Sequence, residues 1–199
     1  RLSGPAQINI PRDFWTQVVD IEIPDPIEFE ASSGGETSVA AAAKMLSEAK
    51  NPVILNGAGV VLSKGGIKAS MDLAERLTAP VCVGYQHNDA FPGSHPMFAG
   101  PLGYNGSKAG MELIKEADVV LCLGTRLNPF STLPGYGIEY WPADAKIIQV
   151  DINPNRIGLT KKVSVGIVGD AAKVANGILA QLSEDAGDAG RDDRKANIA

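Results

Sequence analysis

The sequence predicts an α/β fold: a three-layer sandwich around a mainly parallel sheet of five to six strands. Three observations carry this. First, residues 119–124, inside ADVVLCLGTRL, are almost wholly apolar. A run without period-2 alternation suits a strand covered by helices on both faces. Second, helix-periodic segments alternate with short apolar runs along the chain, the pattern of parallel strands joined by crossovers. Third, the apolar runs end alike, at Asn56-Gly57, Val83-Gly84, Leu123-Gly124, Val150-Asp151 and Val168-Gly169-Asp170. Small or acidic exits leave the carboxyl edge of a sheet open, and open α/β sheets bind ligands there.

Taken in order, residues 6–11 (AQINIP) alternate and close at Pro11, predicting a short strand. Residues 13–35 lack a core-forming pattern. IEIPDPIEFE carries two prolines among alternating acids, and Ser32-Ser33-Gly34-Gly35 reads as a hinge. Residues 21–35 therefore predict an extended linker crossing a surface. A capping box, Ser33-x-x-Glu36, opens the first helix, with Thr37 or Ser38 as alternative caps. Val39, Ala42, Ala43, Leu46 and Ala49 form its apolar face. Asn51-Pro52 ends it, and residues 53–56 form a strand leaving through Gly57-Ala58-Gly59. A second helix carries Ile67, Met71, Ala74 and Leu77 and stops at Pro80. Residues 81–84 are the next strand.

Residues 85–106 hold both histidines and read as a long irregular loop, of the kind used for function or an interface. Ser107 caps a helix through Glu116, and the organising strand follows. The aromatic, proline-rich residues 128–144 offer no periodic pattern that would bury them, so the loop around Phe130 and Trp141 reads as an interface. Residues 146–151 and 163–169 are strands, with a turn at Asn153-Pro154-Asn155. Asp170 caps a last helix bearing Val174, Ile178 and Leu182. Residues 183–199 are small and charged and read as linker. The division is then 1–35 as the end of a preceding domain plus linker, 36–182 as a central domain, and 183–199 as a linker to a following domain.

Composition excludes several classes. With 199 residues, 44% of them hydrophobic and 21% charged, the chain fits one soluble domain with tails. A net charge of −5 with both signs interspersed gives no reason to expect nucleic acid or an anionic membrane as partner. No apolar run approaches the ~18 residues of a membrane span. The opening Arg1-Leu2-Ser3-Gly4-Pro5 has no charged-then-apolar leader and no initiator methionine, so a cytoplasmic protein and a fragment or processed chain are expected. Cys82 and Cys122 sit in apolar runs and read as buried reduced thiols; two cysteines alone make no zinc site. His87, Asp89 and His95 lie in a turn-rich stretch without helical spacing, so hydrogen bonding within the loop is favoured over metal binding or acid–base work. No serine sits in a nucleophile elbow, and no metal site or catalytic residue is assigned.

The candidate binding residues are Gly57, Gly59, Gly124, Arg126, Asp151 and Asp170. Backbone N–H groups and helix N-termini at these exits could face phosphates. Arg126 could fork onto a phosphate, and Asp151 could take ribose or adenine polar groups. Glycines also end strands in any α/β fold, and on these residues both readings stay open. Gly57-Ala58-Gly59 is not a full dinucleotide fingerprint, because Leu62 stands at its third glycine.

The segments GPAQINIPRD, AKNPVILNGAGV, LAERLTAPV, HPMFAGPLGYNGS, ADVVLCLGTRL, AKIIQVDINP and VGIVGD follow in order over residues 1–182. They resemble the end of the first domain and the middle domain of thiamine-diphosphate enzymes of the acetolactate-synthase type. The resemblance implies a Rossmann-like middle domain of the NAD/FAD-binding kind. It implies a parent whose pyrimidine-binding domain supplies a cofactor-activating glutamate and whose diphosphate-binding domain holds Mg²⁺ through G-D-G…N. Neither motif occurs here, so thiamine diphosphate and Mg²⁺ are expected in the parent and not on this chain. The implied partners are those two flanking domains, in a homo-oligomer.

YQHNDAFPGSHP, GPLGYNGSKAG, NPFSTLPGYGIEYWP and NRIGLTKKVSVGI resemble more narrowly an acetyl-transferring branch of the family. That implies a parent in sulfonate metabolism that splits sulfoacetaldehyde with phosphate, giving acetyl phosphate and sulfite, and a fragment inactive by itself. Flavin-binding relatives carry Arg-Phe-Asp-Asp-Arg after the organising strand. Here the run is Arg126-Leu127-Asn128-Pro129-Phe130, so bound FAD is not expected. The alternatives are a self-contained domain for NAD, FAD, ADP or coenzyme A, another acetolactate-synthase-like enzyme, or a pure interaction module.

Overall fold

The apolar runs become one sheet. In a computed structural model, which describes residues 5–198, the strands are β1 (Pro52–Asn56), β2 (Val81–Gly84), β3 (Phe98–Leu102), β4 (Val119–Leu123), β5 (Lys146–Asp151) and β6 (Val165–Val168). All pairs are parallel, in the order β3-β2-β1-β4-β5-β6. The organising run is β4, at the centre between β1 and β5, with all five residues buried. Side chains alternate across it. Leu121 and Leu123 join Ile54, Ile148 and Val150 in a core formed with α1 (Glu36–Ser47), α3 (Gly66–Leu77) and α5 (Ala171–Leu179). Val120 and Cys122 join Val53, Leu55 and Ile147 on the other face, against Met111 and Ile114 of α4 (Lys108–Lys115) and Tyr140. Helices on both faces explain why the central strands lack alternation, and the α/β three-layer prediction holds.

Several local expectations are corrected. The stretch 85–106 is not wholly irregular, since β3 lies within it. Gly100 and Pro101 disguise this strand, and they are tolerated because β3 is at the sheet edge. A short helix, α2 (Ala58–Leu62), follows Gly57 directly. Ser33 does not cap α1: its N-cap is Gly35, with no side-chain bond. The neighbouring Ser32 is used instead, its hydroxyl donating to Val168 O at 3.2 Å while its carbonyl accepts from Asp170 N at 2.8 Å. Residues 6–11 form no strand; Ile8 and Ile10 stand exposed with no partner strand among the described residues. The first turn of structure is a 3₁₀ turn at Arg12–Thr16. Arg1 to Gly4 and Ala199, covered by the sequence reading, lie outside the described residues.

The tail is folded rather than structureless. Arg191–Ile198 form α6, and Arg194 is 4% exposed. Its guanidinium donates to the carbonyls of Leu77 (2.9 Å), Thr78 (3.0 Å) and Gly187 (2.5 Å), and to those of Lys50 and Ala189. Arg76 of α3 reaches the opposite way, to the carbonyls of Ser183, Glu184 and Ala186. Composition hid this segment because guanidinium–carbonyl bonds hold it, with Ala186 its one side chain in the hydrophobic core among the described residues. Among the described residues no helix is long and apolar enough to cross a membrane.

Candidate functional site at the carboxyl edge

From β1 the chain crosses to β2 on one side, and from β4 it crosses to β5 on the other. The strand order therefore reverses between β1 and β4, which opens a crevice at their carboxyl ends. A cleft of about 620 Å³ lies there. Gly57, Gly59, Gly124, Arg126, Asp151 and Asp170 all line it, and so do Ser63, His87, Thr125 and Arg156. Sequence reasoning thus named six residues that the fold brings to one place.

Their roles within the wall differ. Gly59 N donates to Gly124 O at 2.8 Å, and Gly57 N to Leu123 O at 3.0 Å. A Cβ on Gly59 would lie 2.6 Å from Gly124 Cα, and Gly124 has φ +62°. These glycines let two turns touch backbone to backbone. Of the N–H groups expected to face phosphates, those of Gly57 and Gly59 are consumed in that contact, and Val60 N donates to Gly57 O at 3.0 Å within its own turn. The start of α5 is likewise closed. Asp170 Oδ1 accepts from Lys173 N at 3.1 Å and from the Ser63 hydroxyl at 2.7 Å, and that hydroxyl accepts from Ala172 N at 3.0 Å.

The open polar groups lie on the β4–β5 side. Arg126 and Arg156 are exposed, and neither guanidinium has a hydrogen bond or ion pair among the described residues. Asp151 is buried, and its Oδ1 accepts from Asn153 N at 2.8 Å, turning the chain after β5. Gln149, also buried, ties this side together. Its Nε2 donates to Thr125 O and to Arg156 O, both at 3.1 Å, and its Oε1 accepts from Gly158 N at 2.8 Å. Sequence reasoning missed Gln149. The signal was an amide amid the apolar Lys146–Asp151 run, since a buried polar group must find partners.

The structure separates the histidines. His87 lines the cleft, its Nδ1 4.0 Å from Asp89 Oδ1. His95 pins its own loop: Nδ1 accepts from Met97 N at 3.2 Å, Nε2 lies 3.1 Å from Glu75 Oε1, and its ring meets Phe91 edge-on. The aromatic loop also divides. Tyr140 is buried in the core, while Phe130 and Tyr136 stay exposed, so the interface reading fails for Tyr140. Cys82 and Cys122 are buried free thiols, and burial pushes the Cys82 thiol up to about 12. No group of three or more His, Cys, Asp or Glu side chains converges among the described residues. The cleft carboxylates of Asp151 and Asp170 already hold backbone amides. This donor set does not fit a Mg²⁺-bound diphosphate.

The family model "Thiamine pyrophosphate enzyme, central domain" matches residues 39–178. A sulfoacetaldehyde acetyltransferase of Roseovarius nubinhibens is 74% identical over 199 residues, covering 100% of this chain and 33% of that protein. One from Rhodobacter capsulatus is 63% identical, covering 100% of this chain and 34% of its own length. A probable acetolactate synthase large subunit of Methanocaldococcus jannaschii is 36% identical over 186 residues, 90% of this chain and 31% of that protein. The chain spans about a third of the length of the curated relatives it matches. The crystal structure of benzoylformate decarboxylase from Polynucleobacter necessarius superposes with a TM-score of 0.67 at 22% identity, over 87% of this chain and 32% of that one, a likeness of fold. By the family match across most of its length, the chain belongs to the central domains of thiamine pyrophosphate enzymes.

Proposed function

We propose that the chain is the central domain of a thiamine-diphosphate-dependent acetyltransferase that converts sulfoacetaldehyde and phosphate to acetyl phosphate and sulfite. The supporting observation is 74% identity, over every residue of this chain, to a protein of that name. Pyrimidine- and diphosphate-binding domains flank it in a cytoplasmic homo-oligomer, and they bring the thiamine diphosphate and Mg²⁺. The test is turnover by the full-length protein with sulfoacetaldehyde, phosphate, thiamine diphosphate and Mg²⁺. Acetyl phosphate and sulfite in equal amounts support the reading; acetolactate from pyruvate as the sole product overturns it. Residues 1–199 alone give no product.

Within that body the cleft is a nucleotide-type site formed by Gly57, Gly59, Gly124, Arg126, Asp151 and Asp170. The glycines shape its floor. Arg126, joined by Arg156, supplies the charge for phosphates, and Asp151 supplies an acceptor for a hydroxyl or amine. The missing acidic pair after Arg126 speaks against flavin. A second reading, a self-contained nucleotide-binding domain, is favoured by the same two unpaired guanidiniums. Titration calorimetry of residues 1–199 with NAD, FAD, ADP and coenzyme A tests the cleft itself, and silence for all four removes the second reading.

A further inference from the structure

Residues 13–43 hold seven acids and no lysine, arginine or histidine, whereas acids and bases balance over residues 44–199. With Arg1 and Arg12, residues 1–43 carry the −5 net charge of the whole chain. Within residues 19–30 this charge is patterned. Val19, Ile21, Ile23, Ile27 and Phe29 are apolar and exposed, Ile23 at 81% and Ile27 at 76%. Asp20, Glu22, Glu28 and Glu30 occupy the alternate positions, and Asp25, between Pro24 and Pro26, interrupts the apolar set. In extended chain, alternate residues face opposite ways, so the pattern gives an apolar side and an anionic side. Pro24 and Pro26 hold the residues before them out of the helical region and remove two N–H donors. Such a strip docks through side chains rather than as an inner strand of a sheet.

Where the strip meets the body is also fixed. Lys173 Nζ donates to Ala31 O at 2.9 Å and lies 3.3 Å from Glu30 Oε1, and Ser32 is bonded to Val168 and Asp170. Asp170 lines the cleft, so the strip reaches the body beside the cleft's rim. Among the described residues Glu30 is paired with Lys173, and no ion pair reaches Asp20, Glu22 or Glu28 from the body.

We propose that residues 19–29 seat in a groove with an apolar floor and a lysine- or arginine-rich rim, on a flanking domain of the same longer polypeptide. This rests on the reading of the chain as the middle third of such a protein. Exposed apolar strips rimmed by charge mark interaction surfaces, and charge complementarity sets their register.

Hydrogen exchange on the full-length protein tests it. In the wild type, amides of residues 19–23 and 27–29 exchange at least about tenfold slower than unstructured chain. The Asp20→Lys/Glu22→Lys/Glu28→Lys variant abolishes that protection, as does Ile21→Ser/Ile23→Ser, while the β4 and β5 amides stay protected in both. Absence of protection in the wild type overturns the proposal, as does protection that survives charge reversal. Protection that fades on dilution also overturns it, since the groove would then belong to a second copy. Acetyl phosphate production is read separately: a protein that protects this strip but makes a different product keeps the docking proposal and loses the proposed reaction.

Discussion

Gly59 N donates to Gly124 O at 2.8 Å, and each glycine occupies the space that a Cβ on the other would need. The two turns at the reversal point are thus one packed unit. Gly59→Ala must displace backbone and costs about 1–3 kcal/mol as overpacking. Gly124→Ala adds the strain of φ +62°, roughly 1–2 kcal/mol more. The two penalties share a cause and do not sum in the double variant. Gly137→Ala is the control, with φ +73° but open space around its Cβ. Urea midpoints rank Gly124→Ala lowest and Gly137→Ala nearest the wild type.

Gln149 bonds three backbone groups from two loops. Gln149→Leu keeps the volume but leaves the buried Thr125 carbonyl without its partner, at about 1–3 kcal/mol if it stays dry, while Arg156 O and Gly158 N, on exposed residues, turn to water. Thermal melting detects the stability loss. Because Arg126 and Arg156 flank two of those carbonyls, ADP affinity measured by calorimetry also falls, although Gln149 does not line the cleft. Unchanged affinity in a folded variant would show that the arginines hold their places without it.

Arg126→Ala and Arg156→Ala each weaken ADP binding about tenfold, about 1.4 kcal/mol, if each meets a phosphate. The loss shrinks in high salt, where exposed charges are screened. Gly59→Ala, if folded, affects affinity less, since its N–H already serves Gly124. Equal losses at Gly59 and Arg126 would restore the glycine turn as the phosphate cradle.

Cys82 sets a pH limit. Burial raises its thiol from the ordinary 9.0 to about 12. The unfolded chain loses this proton above pH 9 while the folded chain keeps it, so stability is full below 9 and falls as pH rises. Between 9 and 12 the slope approaches about 1.4 kcal/mol per pH unit for this thiol. Chemical denaturation from pH 8 to pH 10.5 follows the decline, and Cys82→Ala removes only its own share, because burial raises the Cys122 thiol as well. The same burial predicts no alkylation of the native protein by iodoacetamide at pH 8.

The parts legible in the sequence were those governed by apolar pattern. The central runs at Val53, Val81, Val119 and Ile147 announced themselves as covered strands, and their glycine and aspartate exits announced the cleft. Elements governed by backbone geometry or polar bonds were not legible. Gly100 and Pro101 concealed an edge strand. Ser33 matched a capping pattern that Ser32 and Gly35 displaced. Arg194 sat in a segment whose composition resembles disorder. The direction of an N–H group is likewise absent from a motif: Gly57-Ala58-Gly59 looks like a phosphate turn, yet its two glycine amides donate to Leu123 and Gly124.

The arginine-held tail bears on where this domain may be cut. Arg194 serves as a cationic plug for the carbonyl ends at Leu77 and Thr78, and it comes from 116 residues beyond Thr78 in the chain. A truncation after Leu182, the last residue of the apolar pattern, would leave α3 uncapped and Arg76 without its three acceptors. Such a shortened product would express as a less soluble, more protease-sensitive species than one ending beyond Ile198.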